Sequence, residues 1–297
     1  MAKIAFVKTA NRAEGVRKAI ELLGTNPVSG KSVFLKPNYN SAHPAPGSTH
    51  PDVLRSLVTQ LQGMGAGSIT VGDRSGMGNT RRVMDELGAF EMAEALGFET
   101  IVFDELKSKQ WVKHQPDGSH WKDGFLFAQP CLDCDVIVQA CCLKTHQYGG
   151  LFTMSLKNSV GMVAKKDGLL GYDYMNELHT SQHQRRMIAE INAVYSPALI
   201  VMDGVEAFKN GGPHEGERVP SELVLAGTDR VAMDAVGLAV LQYFGALKDK
   251  PIFKREQIAR AVELGLGVKS GDKIELVTGD APSAEYAREI ESLLLKG

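Results

Sequence analysis

The chain has 297 residues, with 33 lysines and arginines against 35 aspartates and glutamates, a formal net charge of −2. That balance, with no basic tail or arginine-rich run, argues against nucleic acid as the main partner. No apolar stretch approaches the ~18 residues of a membrane span, and Met1-Ala-Lys-Ile-Ala-Phe-Val reads as a strand rather than a signal peptide, so the expected location is the cytoplasm, with no membrane partner.

In chain order, Lys3 to Lys8 is a short apolar strand. Arg12 to Leu23 has helical spacing, with Val16, Ala19, Ile20 and Leu23 on one face and Gly24 as the stop. Gly24-Thr-Asn-Pro-Val-Ser-Gly30-Lys31-Ser32 imitates a phosphate loop. Its first glycine is one place early, and Lys31 enters a strand instead of opening a helix, so the stretch reads as a turn. Ser32 to Lys36 is the next strand, closed by Pro37, which removes a backbone donor. Lys36 and Asn38 are thereby presented at a strand end. Pro51 suits the first turn of a helix running to Gln62. His50 before it is either a site residue or a solvated pre-helix histidine.

Ser68 to Asp73 is a strand whose glycine-rich exit, Asp73-Arg-Ser75-Gly76-Met-Gly78-Asn79, opens a helix at Thr80. Free amides in such a loop can bind an anion, which makes Asp73 and Ser75 candidates. Phe98 to Phe103 continues the alternation. Around residues 111–127 it breaks: Asp117-Gly118 between aromatic-bearing arms predicts a β-hairpin beside the main sheet. Cys131-Leu-Asp-Cys134 has CxxC spacing, but the next pair, Cys141-Cys142, is adjacent and lies in an apolar run. The four read as buried reduced thiols rather than zinc ligands.

Asp135 to Ala140 reads as a buried strand, so Lys144 and His146 should stand where it emerges. Ligands of open α/β sheets bind at the carboxyl ends of strands. Lys144, His146, Lys157 and Asn158 follow within a short span flanked by Gly149-Gly150 and Gly161. These are solvated surface charges or the wall of an anion site. Asn176 to Tyr195 predicts one long helix, in which His179 and His183, four apart, share a face; that is a polar face or half of a metal site. No glutamate completes an HExxH pattern, and no metal ligand set is assigned. Pro197 to Asp203 is a strand ending in Asp203-Gly204. Asp229 caps a helix from Arg230 to Phe244, inside which Asp234 needs a partner if buried. A helix, a strand and a final helix complete the chain.

Taken as an ordered set, Lys36-Pro-Asn, Gly72-Asp-x-Ser75, Lys144-Thr-His146, Ser155-Leu-Lys157-Asn158-Ser-Val-Gly161, Val201-Met-Asp203-Gly204, Gly211-Gly-Pro213 and Asp229-x-Val-Ala-Met-Asp234-Ala resemble the domain of unknown function 362 family over nearly the whole chain. Some members carry a ferredoxin-like segment or a twin-arginine signal; neither is present here. The order His146, Lys157, His183 is also similar to the histidine–lysine–histidine arrangement of the nickel-dependent lactate racemases. In those enzymes, the resemblance implies, a lysine holds a nicotinate-derived nickel cofactor and histidines act on the hydroxy acid.

The expectation is an α/β fold with a mostly parallel sheet flanked by helices and a hairpin insertion, as a single domain over residues 1–297 or two closely packed lobes. The expected partner is a small anion, a carboxylate or phosphate. Lys36, Lys144 and Lys157 would neutralise it; Asn38, Asn158, Asp73 and Ser75 would orient it. His146 is the candidate acid/base, and Asp203 would orient a histidine or hold a cation. The alternatives are a binding protein using the same groups without turnover, or a metal or redox accessory protein. The residues specify neither cofactor nor oligomeric state.

Overall fold

The computed structural model describes residues 1–296. Its strands are β1 (Ala2–Lys8), β2 (Ser32–Lys36), β3 (Ser68–Asp73), β4 (Glu99–Val102), β5 (Trp111–His114), β6 (Phe125–Ala128), β7 (Val136–His146), β8 (Leu151–Thr153), β9 (Pro197–Gly211), β10 (Gly216–Val219), β11 (Leu223–Gly227) and β12 (Ile274–Val277). Ten of them form one sheet in the order β12-β1-β11-β9-β7-β2-β3-β4, with β8 on β7 and β10 on β9. Along that path the pairing is parallel except at β11, which lies antiparallel between β1 and β9. The expected α/β class with a mostly parallel sheet is observed.

Helices bury both faces, which is why the strands read as near-continuous apolar runs. Side chains alternate along each strand. Ala5 and Val7, Val33 and Leu35, and Val138 and Ala140 face one core under helices Arg12–Leu23 and Pro51–Gly63. Ile4 and Phe6 face the opposite core, filled by helix Arg230–Tyr243, which is buried from Arg230 through Leu241. Phe34 and Ile137 belong to a third cluster closed over by the hairpin β5–β6 and by helices Tyr174–Thr180 and Gln184–Ile191. The hairpin is the predicted insertion, with residues 115–124 as its connection. All four cysteines are free, three of them fully buried.

Three local readings are corrected. β7 does not end at Ala140: it continues to His146, because β9 pairs with it as far as Phe208 and β8 folds back on its last residues, Lys144 opposite Thr153. Asp203 is not at a strand exit, since β9 runs on to Gly211. The long helix from Asn176 is broken. Thr180 Oγ1 donates to Asn176 O at 2.7 Å, Ser181 turns extended, and its Oγ accepts from His183 N at 3.0 Å. Hydroxyl side chains thus take over backbone groups that a continuing helix would use.

Candidate functional site

The carboxyl ends of β2 and β3 lie side by side, and each delivers a charged residue into the interior. Lys36 Nζ contacts Asp73 Oδ1 at 2.8 Å, and both side chains are about fully buried. Lys36 Nζ also donates to Pro37 O at 2.7 Å and to Asn158 Oδ1 at 3.2 Å. Asp73 accepts from the backbone amides of Tyr39 at 2.7 Å and Arg74 at 2.6 Å. Burial pushes Lys36 below, and Asp73 above, its ordinary value, while each partner's charge opposes the shift. Gly161 packs directly on this pair. A Cβ there would meet Asp73 Oδ1 at 2.3 Å and Lys36 Nζ at 2.7 Å, so no larger residue fits.

The segment Ser155–Gly161 is held from below. Asp234, the carboxylate that needed a partner, accepts from Ser155 N at 2.7 Å and Leu156 N at 3.2 Å. Ser155 Oγ donates to Gln139 Oε1 at 2.7 Å, and Asn192 Nδ2 donates to Leu156 O at 3.0 Å. Lys157 therefore projects from a fixed base. It lines a cleft of about 960 Å³ whose wall also includes Lys36, Asn38, Asp73, Arg74, His146, Asn158 and His179. Lys157 and His146 flank Gly150: a Cβ there would sit 3.0 Å from Lys157 Cε and 3.2 Å from His146 Nδ1.

Around Lys157 and His146 the field is positive. Burial, with Lys144 and Arg74 as positive neighbours, pushes Lys157 down to about 7. Burial first, then Lys157 and Lys144, holds His146 down to about 2, so its ring is neutral. Arg74 is buried and its hydrogen bonds go to neutral acceptors, Nε to Val163 O at 3.0 Å and Nη2 to Val160 O, while Asp73 and Asp104 act on its charge at longer range. Among the described residues, five polar atoms of the wall, Asn38 Nδ2, Asn40 Nδ2, His146 Nδ1, Thr153 Oγ1 and Gln184 Nε2, are buried with no protein partner. Unsatisfied buried groups cost about 1–3 kcal/mol each.

Six sequence candidates thus come together: Lys36, Asn38, Asp73, His146, Lys157 and Asn158. Three do not reach the wall. Lys144 turns inward, its Nζ donating to Gly47 O and, at 2.9 Å, to Pro213 O; burial pushes it down to about 8, and it ties two loops together. Ser75 Oγ donates to Tyr39 O and its amide to Thr80 Oγ1, which fixes the loop after β3. Asp203 is buried mid-strand, where Arg12 Nε pairs with Oδ2 at 2.8 Å. Asn158 is spent on Lys36, its Nδ2 donating back to Lys36 O at 3.3 Å. His50 is a helix cap, its Nδ1 accepting from Asp52 N at 3.1 Å.

His179 lines the cleft while His183 turns away, its ring 4.5 Å from that of His120. Of the order His146, Lys157, His183, only the first two share the wall. Among the described residues, no three His, Cys, Asp or Glu side chains gather as a metal site, and no helix is long and apolar enough to cross a membrane. Sequence reasoning missed Arg74, Asn40, Thr153 and Gln184. Arg74 occupies the open position of the Gly72-Asp-x-Ser75 motif; the others carry no signal in their neighbourhood.

Residues 33–239 match the family model described as "Domain of unknown function (DUF362)". The chain belongs to this family. A relative, the thylakoid-associated protein sll1697 of Synechocystis sp., is 26% identical over 216 residues. That alignment covers 72% of this chain and 64% of the relative, so the chain spans under two thirds of the relative's length. Among solved structures, the lactate racemase apoprotein from Thermoanaerobacterium thermosaccharolyticum is similar with a TM-score of 0.48 at 12% identity, covering 98% of this chain and 85% of that one. A Thermotoga maritima protein follows with a TM-score of 0.44 at 14% identity, covering 85% and 58%. Both likenesses concern the fold alone.

Proposed function

We propose that this DUF362 protein is an enzyme acting on a small anionic metabolite, a carboxylate or a phosphate, bound in the cleft between the end of β2 and the Ser155–Gly161 segment. The observation that carries the reading is Lys157. It stands on the cleft wall with no ion pair among the described residues, and its cationic neighbours Lys144 and Arg74 oppose its charge. A half-buried cation without a counter-charge is costly, and an anion placed among Lys157 and Arg74 removes that cost. The unpartnered amide of Gln184 and the hydroxyl of Thr153 offer donors to an oxygen-rich ligand.

In this reading Lys157 and Arg74 neutralise the anion. The Lys36–Asp73 pair, braced by Asn158, forms a fixed floor, and Asn38 stands beside it. His146 moves the proton. The neutral ring accepts one more readily once the ligand's charge cancels part of the lysine field. The test measures thermal shift and turnover on a panel of hydroxy acids, oxo acids and phosphate esters. His146→Gln should bind like the parent and turn over ~10²–10⁴-fold more slowly, while Lys157→Met loses the ligand-induced shift. Equal loss of binding in both variants, with no turnover by the parent on any panel member, would establish a binding protein instead. No thermal shift by any anion would end the reading.

A further inference from the structure

We infer that Lys157 is a covalent-binding residue whose Nζ condenses with the oxo group of a 2-oxo acid to form an imine, the acid's carboxylate being held beside it at Arg74. This rests on the anion-cleft reading and deepens it by naming the ligand class.

Among the described residues the cleft wall carries four lysines, and three of them are committed to carboxylates. Lys36 contacts Asp73 at 2.8 Å, Lys165 contacts Asp104 at 3.1 Å, and Lys166 contacts Asp173 at 3.3 Å. An amine so paired must leave its carboxylate before it can reach a ligand's carbon. Lys157 is the exception, and its setting favours the free amine: burial and two cationic neighbours keep it near 7. The two residues before it, Ser155 and Leu156, are fixed by Asp234, Gln139 and Asn192, which limits the freedom lost on reaction. A group able to shuttle a proton, His146, lies across Gly150 and is neutral. Arg74 is the complementary element, a buried guanidinium that among the described residues hydrogen-bonds to carbonyls and the Met175 thioether and pairs directly with no carboxylate.

The chemistry balances without a further reactant. The Nζ lone pair attacks the oxo carbon, and the carbonyl π pair moves onto oxygen. His146 takes a proton from the nitrogen and returns it to that oxygen, giving a carbinolamine. The C–O bond then breaks as the oxygen takes one more proton from solvent and leaves as water, and the nitrogen lone pair closes the iminium. The sum is amine, oxo acid and a proton giving iminium and water.

The experiment is reductive trapping of the full chain with cyanoborohydride in pyruvate, glyoxylate or 2-oxoglutarate, with the modified lysine located by peptide mass spectrometry. Thermal shift is measured in parallel with the same oxo acids and with lactate, which has no oxo group. The expected result is one saturable adduct per chain on Lys157, its rate rising with pH through about 7. It should be absent from a cooperatively melting Lys157→Arg and retained in Lys165→Arg and Lys166→Arg. Thermal shifts by oxo acids and lactate with no adduct, or with label scattered over surface lysines, would overturn the imine and leave the anion cleft standing. Neither shift nor adduct would overturn both.

Discussion

Replacing Lys157 by methionine should stabilise the ligand-free protein, and the gain should depend on pH in a defined direction. The substitution keeps the length of the side chain and removes its charge. In the folded chain the amine is held at about 7, against 10.5 for a solvated lysine. One pKa unit is worth about 1.4 kcal/mol, so the full shift sets a ceiling of ~5 kcal/mol. The cleft is open to solvent, and screening brings the expected gain to roughly 1–3 kcal/mol, a few degrees in melting temperature. The sign follows from proton uptake. Below pH 7 both states of the parent carry the proton, and the folded state bears the whole penalty. Between about 7 and 10.5 the unfolded chain still binds the proton that the folded chain has lost, so the parent gains stability as pH rises. The variant's advantage should therefore be largest near pH 6 and vanish by about pH 10.5; groups common to both proteins cancel in the difference. Urea unfolding of parent and variant at a series of pH values measures it. A difference that is flat across pH, or a parent more stable than Lys157→Met at pH 6, would refute the claim that this lysine is held without a counter-charge.

Gly161→Ala should destabilise by about 3–5 kcal/mol, because its Cβ would press on the buried Lys36–Asp73 pair, and parting such a pair costs about that much; denaturant midpoints at constant slope check it. Arg12→Met should also destabilise, by ~3 kcal/mol, by leaving Asp203 buried without its cation. Since that pair is not part of the cleft wall, the thermal shift given by a bound anion should remain at the parental size. Loss of that shift would show that Asp203 serves the site after all.

What the sequence determined by itself is whatever local pattern controls. Apolar runs alternating with amphipathic stretches fixed a parallel sheet covered on both faces, since a strand buried on both sides has no polar face to show. Proline after Lys36 ended a strand and Asp229 capped a helix; glycines flank the span of Lys157, and the structure adds that Gly150 and Gly161 make close approaches there. The tertiary structure decided everything that depends on which group lies opposite. Lys144 and Lys157 look alike in sequence, yet one is satisfied by the carbonyls of Gly47 and Pro213, and the other is left facing the cleft. Asp203 resembles a strand-end carboxylate until β9 continues past it and Arg12, 191 residues away, meets it. Four-residue spacing put His179 and His183 on one face only for an unbroken helix, and the hydroxyls of Thr180 and Ser181 break it. Arg74 reads as an open motif position until the chain near residue 160 returns its carbonyls to it. Such choices are made by contacts between segments far apart in the chain, and periodicity over a dozen residues carries no information about them.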